Sequence, residues 1–304
     1  MAMAKLTLPE IELMSPGHMG CIGCGATHVM RYTLKALGPK TIVNIPACCW
    51  AVIPGVFPYT SQRIPFLYNA FETTAATAAG VRAALNAKGV HDVHVVGFAG
   101  DGGTADIGIQ ALSGAAERGD NIIYVCYDNE AYMNTGIQRS SLTPYGAWTT
   151  TTPVGKKKQW QHTNKKNMVE IMAAHRIPYA ATVAIAFPED FVAKLQKAAT
   201  FKGVKYIHAL SPCPVGWRYP PEKTVEVARL AVNSCVFPLY EIDDGRYTIS
   251  RKPTKKVPVK EYYAPQGRFR HLPEDVLGEI QRRVDAEWEL LLKKEEETKK
   301  TRWL

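Results

Sequence analysis

Residues 95–108 read VVGFAGDGGTADIG, and they set Gly100-Asp101-Gly102-Gly103 at the seam between two kinds of periodicity. Before the seam, Val93–Ala99 is apolar except at His94, which predicts a buried strand. After it, 105–118 carries Ile109, Leu112 and Ala116 on one side, which predicts a helix. A second apolar run, Ile122–Tyr127, follows. Strand, helix and strand within about 35 residues form a βαβ unit, so the two strands are expected to be parallel neighbours. Glycines at such a junction let backbone N–H groups approach a phosphate. Asp101 adds a hard carboxylate oxygen. The next strand ends in Asp128-Asn129-Glu130, 27 residues after Asp101, on the same sheet edge. Ligands of parallel sheets bind at the carboxyl ends of their strands. Oxygen donors beside a diphosphate suit Mg²⁺ or Ca²⁺. A dinucleotide site would want GxGxxG, which GDGGTADIG does not supply.

The rest of the chain extends this pattern. Residues 26–37 predict a helix stopped by Gly38-Pro39, and Thr41–Ile45 a strand. A Pro- and aromatic-rich loop follows. Thr73–Lys88, Asn167–His175 and Glu189–Thr200 predict helices, and Val204–Leu210 a strand. The fold class expected is α/β, a parallel sheet with helices on both faces. Residues 1–235 would form the cofactor-binding domain. Residues 236–304, rich in Tyr, Pro and Lys, would form a surface-wrapping extension with one hairpin and a terminal helix opened by Pro273. With 304 residues, the chain has room for one domain of this kind.

Composition narrows the class. The chain is 46% hydrophobic and 21% charged, which excludes a disordered protein. It shows no apolar run of about 18 residues and no apolar leader, so a soluble, cytoplasmic protein is expected. Seven cysteines in a reducing compartment read as ligands or core residues rather than disulfides. Cys21 and Cys24 form a CxxC among Gly20, Gly23 and Gly25. Cys48, Cys49, Cys126, Cys213 and Cys235 are single. Cys213 precedes Pro214, as cluster ligands often do. Cys126 sits mid-strand and reads as core, Cys235 as core or partly exposed. From the residues alone, a zinc site, a redox dithiol and an iron–sulfur cluster all remain open. The formal charge is +9, and Lys156–Lys158 with Lys165-Lys166 would suit an acidic partner, the phosphates of CoA, or solvent. Nucleic-acid motifs are missing from the stretch.

Gly-Asp-Gly followed about 28 residues later by a strand-end Asn resembles the thiamine diphosphate motif. Four segments, GHMGCIGCG (17–25), GDGGTADIGIQALSGAAERG (100–119), 124–156 and SPCPVGW (211–217), resemble the β subunit of 2-oxoacid:ferredoxin oxidoreductases, in particular the pyruvate branch. The resemblance covers roughly residues 10–235. It implies a thiamine diphosphate-binding fold. Asp101, the Asn129 side chain and the Ala131 carbonyl would hold Mg²⁺. Gly100, Gly102, Gly103 and Thr135 would bind the cofactor, and Asn134 and Val52 would face the substrate. Cys21, Cys24, Cys49 and Cys213 would carry one [4Fe–4S] cluster, with Cys48 left out.

The implied reaction is oxidative decarboxylation of a small 2-oxoacid, with electrons leaving through the cluster to external ferredoxin and with CoA as a possible acyl acceptor. A single thiamine domain is half a site, so an α-type subunit would complete it, beside γ and ferredoxin-like δ subunits or domains. Trp148, Tyr145, Phe66 and Tyr68 are candidates for that interface. Neither nucleic acid nor membrane is an expected partner. One departure bears on the substrate: the pyruvate-type pattern has Thr-Gly before the third cysteine, whereas Ala47-Cys48-Cys49-Trp50 stands here. A bulky Trp50 near the substrate would admit a smaller or differently charged 2-oxoacid such as oxalate, or an aryl 2-oxoacid, as alternatives to the pyruvate type. A non-redox thiamine enzyme half and a non-catalytic iron–sulfur or zinc protein are the rival functions.

Overall fold

The computed structural model describes residues 7–156 and 160–300, so Lys157 and Lys158 of the basic stretch lie outside the described residues. In chain order the elements are α1 (Gly25–Leu37), β1 (Thr41–Pro46), β2 (Phe66–Asn69), α2 (Thr74–Ala87), β3 (His94–Gly100), α3 (Asp101–Ala105), α4 (Ile109–Arg118) and β4 (Ile123–Asp128). There follow α5 (Met168–Ala174), β5 (Tyr179–Ala184), α6 (Pro188–Thr200), β6 (Lys205–Leu210), α7 (Pro214–Trp217) and α8 (Thr224–Asn233). The chain closes with β7 (Leu239–Asp243), β8 (Arg246–Arg251), α9 (Val259–Tyr263) and α10 (Glu274–Thr298).

Eight strands form one sheet in the order β2-β1-β3-β4-β6-β5-β7-β8. The first six are parallel, and β7 pairs antiparallel with β5 and with β8. The period of two in β3 decides what each face packs against. Val96 and Phe98 point to the layer of α1 and α6, with Val29, Met30, Phe191 and Leu195. Val95 and Ala99 point to the layer of α2, α4 and α5, with Ala78, Leu112 and Met172. A third core joins Trp217, Val227, Phe237, Tyr262 and Val284. Helices therefore cover both faces.

Three features depart from expectation. The helix expected at 105–118 is two pieces. Gly108 passes so close to the Gly103 carbonyl that a Cβ on it would lie 2.0 Å away, which breaks the run into α3 and α4. Strands β2 and β5 and helix α8 were not anticipated. The stretch after 236 is more than a wrapping extension. Its hairpin extends the central sheet, with Tyr179 opposite Asp243 and Ala180 opposite Ile242, so the sheet runs through the boundary expected at 235.

The strand order also fixes where a ligand can enter. From β1 the chain moves outward to β2, and from β3 it moves the other way to β4. The crevice between the carboxyl ends of β1 and β3 is thus the topological switch point.

Candidate functional site

A cavity of about 50 Å³ opens at that switch point. Its lining includes Cys48 and Cys49 from the loop after β1, Gly100–Gly103 from the β3–α3 turn, and Asn129, Ala131, Asn134 and Thr135 from the loop after β4. These come from three separate stretches of sequence. Asn134 and Thr135 are exposed at its mouth. Val52 is not part of this lining. It is 47% exposed, on the outer side of the turn that follows Cys49.

Glycine is required at Gly102, where a Cβ would lie 2.3 Å from the Tyr132 ring. Tyr132 in turn donates to Asp106 Oδ2 at 2.7 Å. Asp101 is 1% exposed, and Ser140 donates its hydroxyl to Asp101 Oδ2. Burial first, and then the neighbouring Asp128 carboxylate, pushes the Asp101 carboxyl well above the usual range. A divalent cation reverses such a bias.

The amide end of Asn129 supplies a direct test of fit for that cation. It faces the Ala131 carbonyl at 2.8 Å and Asp101 Oδ1 at 3.0 Å. With nitrogen at that position the amide donates to both. With oxygen there, three oxygens face one point, and only a cation relieves their repulsion. The donor set is hard and all-oxygen, as Mg²⁺ requires.

The cysteines come together by a different construction. Gly25 donates its N–H to the Pro212 carbonyl at 3.1 Å, and a Cβ on Gly25 would lie 2.7 Å from that oxygen. Thr224 Oγ1 donates to the Gly23 carbonyl at 2.7 Å. The CxxC turn is therefore held flush on the loop that carries Cys213. His18 accepts the Gly20 N–H through Nδ1 at 3.1 Å and shapes the entry to the turn. Burial raises the Cys24, Cys49 and Cys213 thiols, Cys213 to about 11. The neighbouring sulfurs add to each shift: Cys21 on Cys24, Cys48, then Cys213 and Cys24, on Cys49, and Cys24 and Cys21 on Cys213. The four sulfurs so share one neighbourhood, and metal binding there would release protons. Among the described residues, no three His, Cys, Asp or Glu side chains are already gathered at metal-ligating separation. Cys48 lines the same cavity as Cys49 and interacts with the Tyr127 hydroxyl. Cys126 and Cys235 are buried.

Trp50 corrects the reading of the substrate. Its side chain is 0% exposed, packs edge-on against Phe98 with 5.6 Å between ring centroids, and donates Nε1–H to the Ala26 carbonyl at 3.3 Å. The one-turn helix Cys49–Ala51 points it into the core, so it does not narrow the cavity.

A buried charge network behind the site escaped the sequence. Lys165 Nζ lies 2.5 Å from Asp128 Oδ2 and 2.7 Å from Glu130 Oε1. His208 Nε2 lies 2.8 Å from Asp128 Oδ2, and Arg268 reaches Glu130 Oε2 at 2.5 Å. Burial alone would raise the Asp128 carboxyl, but Lys165 and His208 outweigh it and hold it well below the usual range. Lys165 is therefore an internal counter-ion rather than part of a docking surface, and Lys166 donates to the Ala105 carbonyl at 2.6 Å. Of the aromatic interface candidates, Tyr68 is 48% exposed and stacks edge-on with Phe66, Arg218 covers the Trp148 ring, and Arg283 lies over Tyr145.

Comparison with known proteins agrees with this geometry. Residues 57–209 match the thiamine pyrophosphate enzyme family, C-terminal TPP binding domain. The chain is 55% identical to pyruvate synthase subunit PorB of Methanothermobacter thermautotrophicus, over 92% of this chain and 98% of that one. It is 51% identical to ketoisovalerate oxidoreductase subunit VorB of Pyrococcus abyssi, over 95% of each. A 2-oxoglutarate:ferredoxin oxidoreductase from Magnetococcus marinus shares the fold, with a TM-score of 0.57 at 20% identity over 73% of this chain and 82% of that chain. Among the described residues no helix is long and apolar enough to cross a membrane.

Proposed function

The chain belongs to the β subunits of the thiamine-diphosphate-dependent 2-oxoacid:ferredoxin oxidoreductases, and from that premise we propose that it carries the diphosphate, metal and cluster half of a site that decarboxylates a small aliphatic 2-oxoacid oxidatively. The observation that carries the reading is the meeting of the Asn129 amide, the Ala131 carbonyl and Asp101 Oδ1 at the switch point, with Cys49 in the same cavity wall. Asp101, Asn129 and the Ala131 carbonyl would hold Mg²⁺. Gly100, Gly102 and Gly103 would lie against the diphosphate, and Thr135 beside it. Cys21, Cys24, Cys49 and Cys213 would hold a [4Fe–4S] cluster. When bound, thiamine diphosphate supplies the electron sink for loss of CO₂, and the cluster takes electrons singly.

The chain's own residues prepare the site. Ser140 orients Asp101, so one carboxylate oxygen is left for the metal. The Gly216 N–H donates to Cys213 Sγ at 3.4 Å, which favours the thiolate that a cluster needs. Asn134, exposed at the mouth, is available to the carboxylate or oxo group of the substrate. Val52 lies too far out on its turn to share that role within this chain. A cavity of about 50 Å³ takes a hydrated ion or a phosphate group, not a whole thiamine diphosphate. The remaining wall would come from an α-type subunit, with γ and ferredoxin-like δ subunits or domains completing the path to external ferredoxin and a cytoplasmic setting for the complex. The names of its relatives support pyruvate or a branched 2-oxoacid as the substrate class, and CoA would be the acyl acceptor.

The test has two arms. Asp101→Asn in the assembled complex is expected to abolish Mg²⁺-dependent thiamine diphosphate binding by calorimetry, and unchanged binding refutes the site. A panel of 2-oxoacids, with and without CoA and followed by viologen reduction, is expected to show CoA-dependent turnover of pyruvate or a branched homologue. CoA-independent turnover of oxalate alone would overturn the substrate class, and a colourless protein with one zinc would overturn the cluster.

A further inference from the structure

The loop carrying the proposed Mg²⁺ ligands and the helix carrying a proposed cluster ligand touch directly, at two points. Trp217 donates its indole N–H to the Asn129 carbonyl at 2.7 Å, and the indole is fully buried. Trp217 belongs to α7, whose first turn is closed by its own N–H donating to the Cys213 carbonyl at 2.8 Å. Four residues further along the other loop, Met133 fills the space beside Gly216. A Cβ on Gly216 would lie 2.2 Å from Met133 Sδ and 3.6 Å from Cys213 Sγ. The sequence Cys213-Pro-Val-Gly216-Trp217 thus presents a ligand, a small face and an indole to the same loop.

The contact is braced from behind. The Arg268 guanidinium lies over the Trp217 ring, 3.9 Å from its centroid, and pairs with Glu130. Glu130 follows Asn129 and holds φ at +67°, a left-handed conformation costly for a residue with a Cβ. Its carbonyl accepts from Thr143 Oγ1 at 2.7 Å, and its N–H donates to Asp128 Oδ1 at 2.9 Å. Arg268 is itself fixed by donating Nε–H to Gln266 Oε1 at 2.9 Å. Asn129 is consequently held by its side chain at the metal position and by its main chain to α7. A shift of either loop moves the other.

We infer that Trp217, braced by Arg268, is a positioning residue that couples the metal-binding loop at Asn129 to the cluster ligand Cys213. The inference rests on the function proposed above, because it assigns no cofactor of its own. Its consequence is that loading of one centre is felt at the other. A buried carbonyl that loses its donor costs about tenfold to a hundredfold in an equilibrium that depends on its position.

The experiment uses the assembled complex with a variant β chain. Trp217→Phe keeps an aromatic face for Arg268 and removes the N–H. Thiamine diphosphate affinity at fixed Mg²⁺ is expected to fall about tenfold or more by calorimetry. The EPR spectrum of the reduced cluster, recorded without thiamine or substrate, is expected to change as well. Gly216→Ala tests the second contact independently, by displacing Met133, and is expected to move both readouts. Wild-type affinity with a wild-type spectrum in both variants overturns the inference. So does an altered affinity with an unaltered spectrum, because the link to Cys213 would then be missing. Asp101→Asn separates the two levels. Loss of thiamine binding there, with wild-type behaviour in the Trp217 and Gly216 variants, refutes the coupling and spares the site, whereas retained binding refutes the site itself.

Discussion

Replacing Lys165 by methionine removes the one ammonium, among the described residues, that touches both carboxylates flanking Asn129. Asp128 and Glu130 are both under 5% exposed, and their contacts to Lys165 Nζ are 2.5 and 2.7 Å. Breaking a buried pair from one side costs about 3–5 kcal/mol, since the remaining charge stays desolvated. Each carboxylate keeps one other partner, His208 for Asp128 and Arg268 for Glu130. The lower end of that range, about 3 kcal/mol, is therefore expected. For a chain of this length the midpoint of thermal unfolding would fall by roughly 5 °C.

The charge count sharpens the prediction. Asp128, Glu130, Lys165 and Arg268 sum to zero, Lys165→Met leaves the group at −1, and the added Glu130→Gln restores zero. The double variant should then be less destabilised than the two single changes added together, by about 1 kcal/mol or more. Calorimetric unfolding of the four proteins in one buffer measures this coupling. Strict additivity would mean that the buried contact carries no net energy, and the account of how the Asn129 turn is held would be wrong.

Two further outcomes follow from the site and the core. Cys49→Ser is expected to lose cluster iron and visible absorption, whereas Cys48→Ser, whose thiol faces Tyr127, should retain four irons per chain; iron analysis that reverses this order moves the third ligand by one residue. Lys205 is 3% exposed, and burial, followed by the Arg82 charge, lowers its ammonium to about 7. Between that value and the unfolded value the unfolded chain holds a proton that the folded chain lacks, so stability from this group rises with pH across the window and its penalty is largest below pH 7. Lys205→Met should gain most over wild type at pH 6, by at most roughly 4 kcal/mol, and lose that advantage toward pH 10. Parallel stability curves from pH 6 to 10 would contradict the reading.

Local chemistry explains what was legible in the sequence. The strand, glycine turn and helix around Asp101 depend on period, on glycine and on residues a few positions apart, so both strands and the helix at 109–118 could be read directly, whereas the break at Gly108 could not. The pairing of Asp101 with Asn129 was readable because adjacent parallel strands end at one edge. Trp50 was misjudged because a position in a loop says where the backbone runs and not where the side chain points. The hairpin expected after 236 is present at 239–251, but its place in the central sheet was not legible, because its register is dictated by β5, some 60 residues earlier.

The charge balance gives the sharpest limit. Lys165 meets Glu130 across 35 residues, and Arg268 meets it across 138, distances over which no local pattern reports. Each looks in the sequence like one more solvated cation, and each is in fact a counter-ion within the turn that carries Asn129. Two more cations are internal without a carboxylate. Arg82 is buried on the Val93 carbonyl at 2.9 Å and on Asn86, and Lys205 on Asn121 Oδ1 at 2.5 Å. Any attraction of an acidic partner to surface lysines would be screened by salt over about 8 Å at physiological strength.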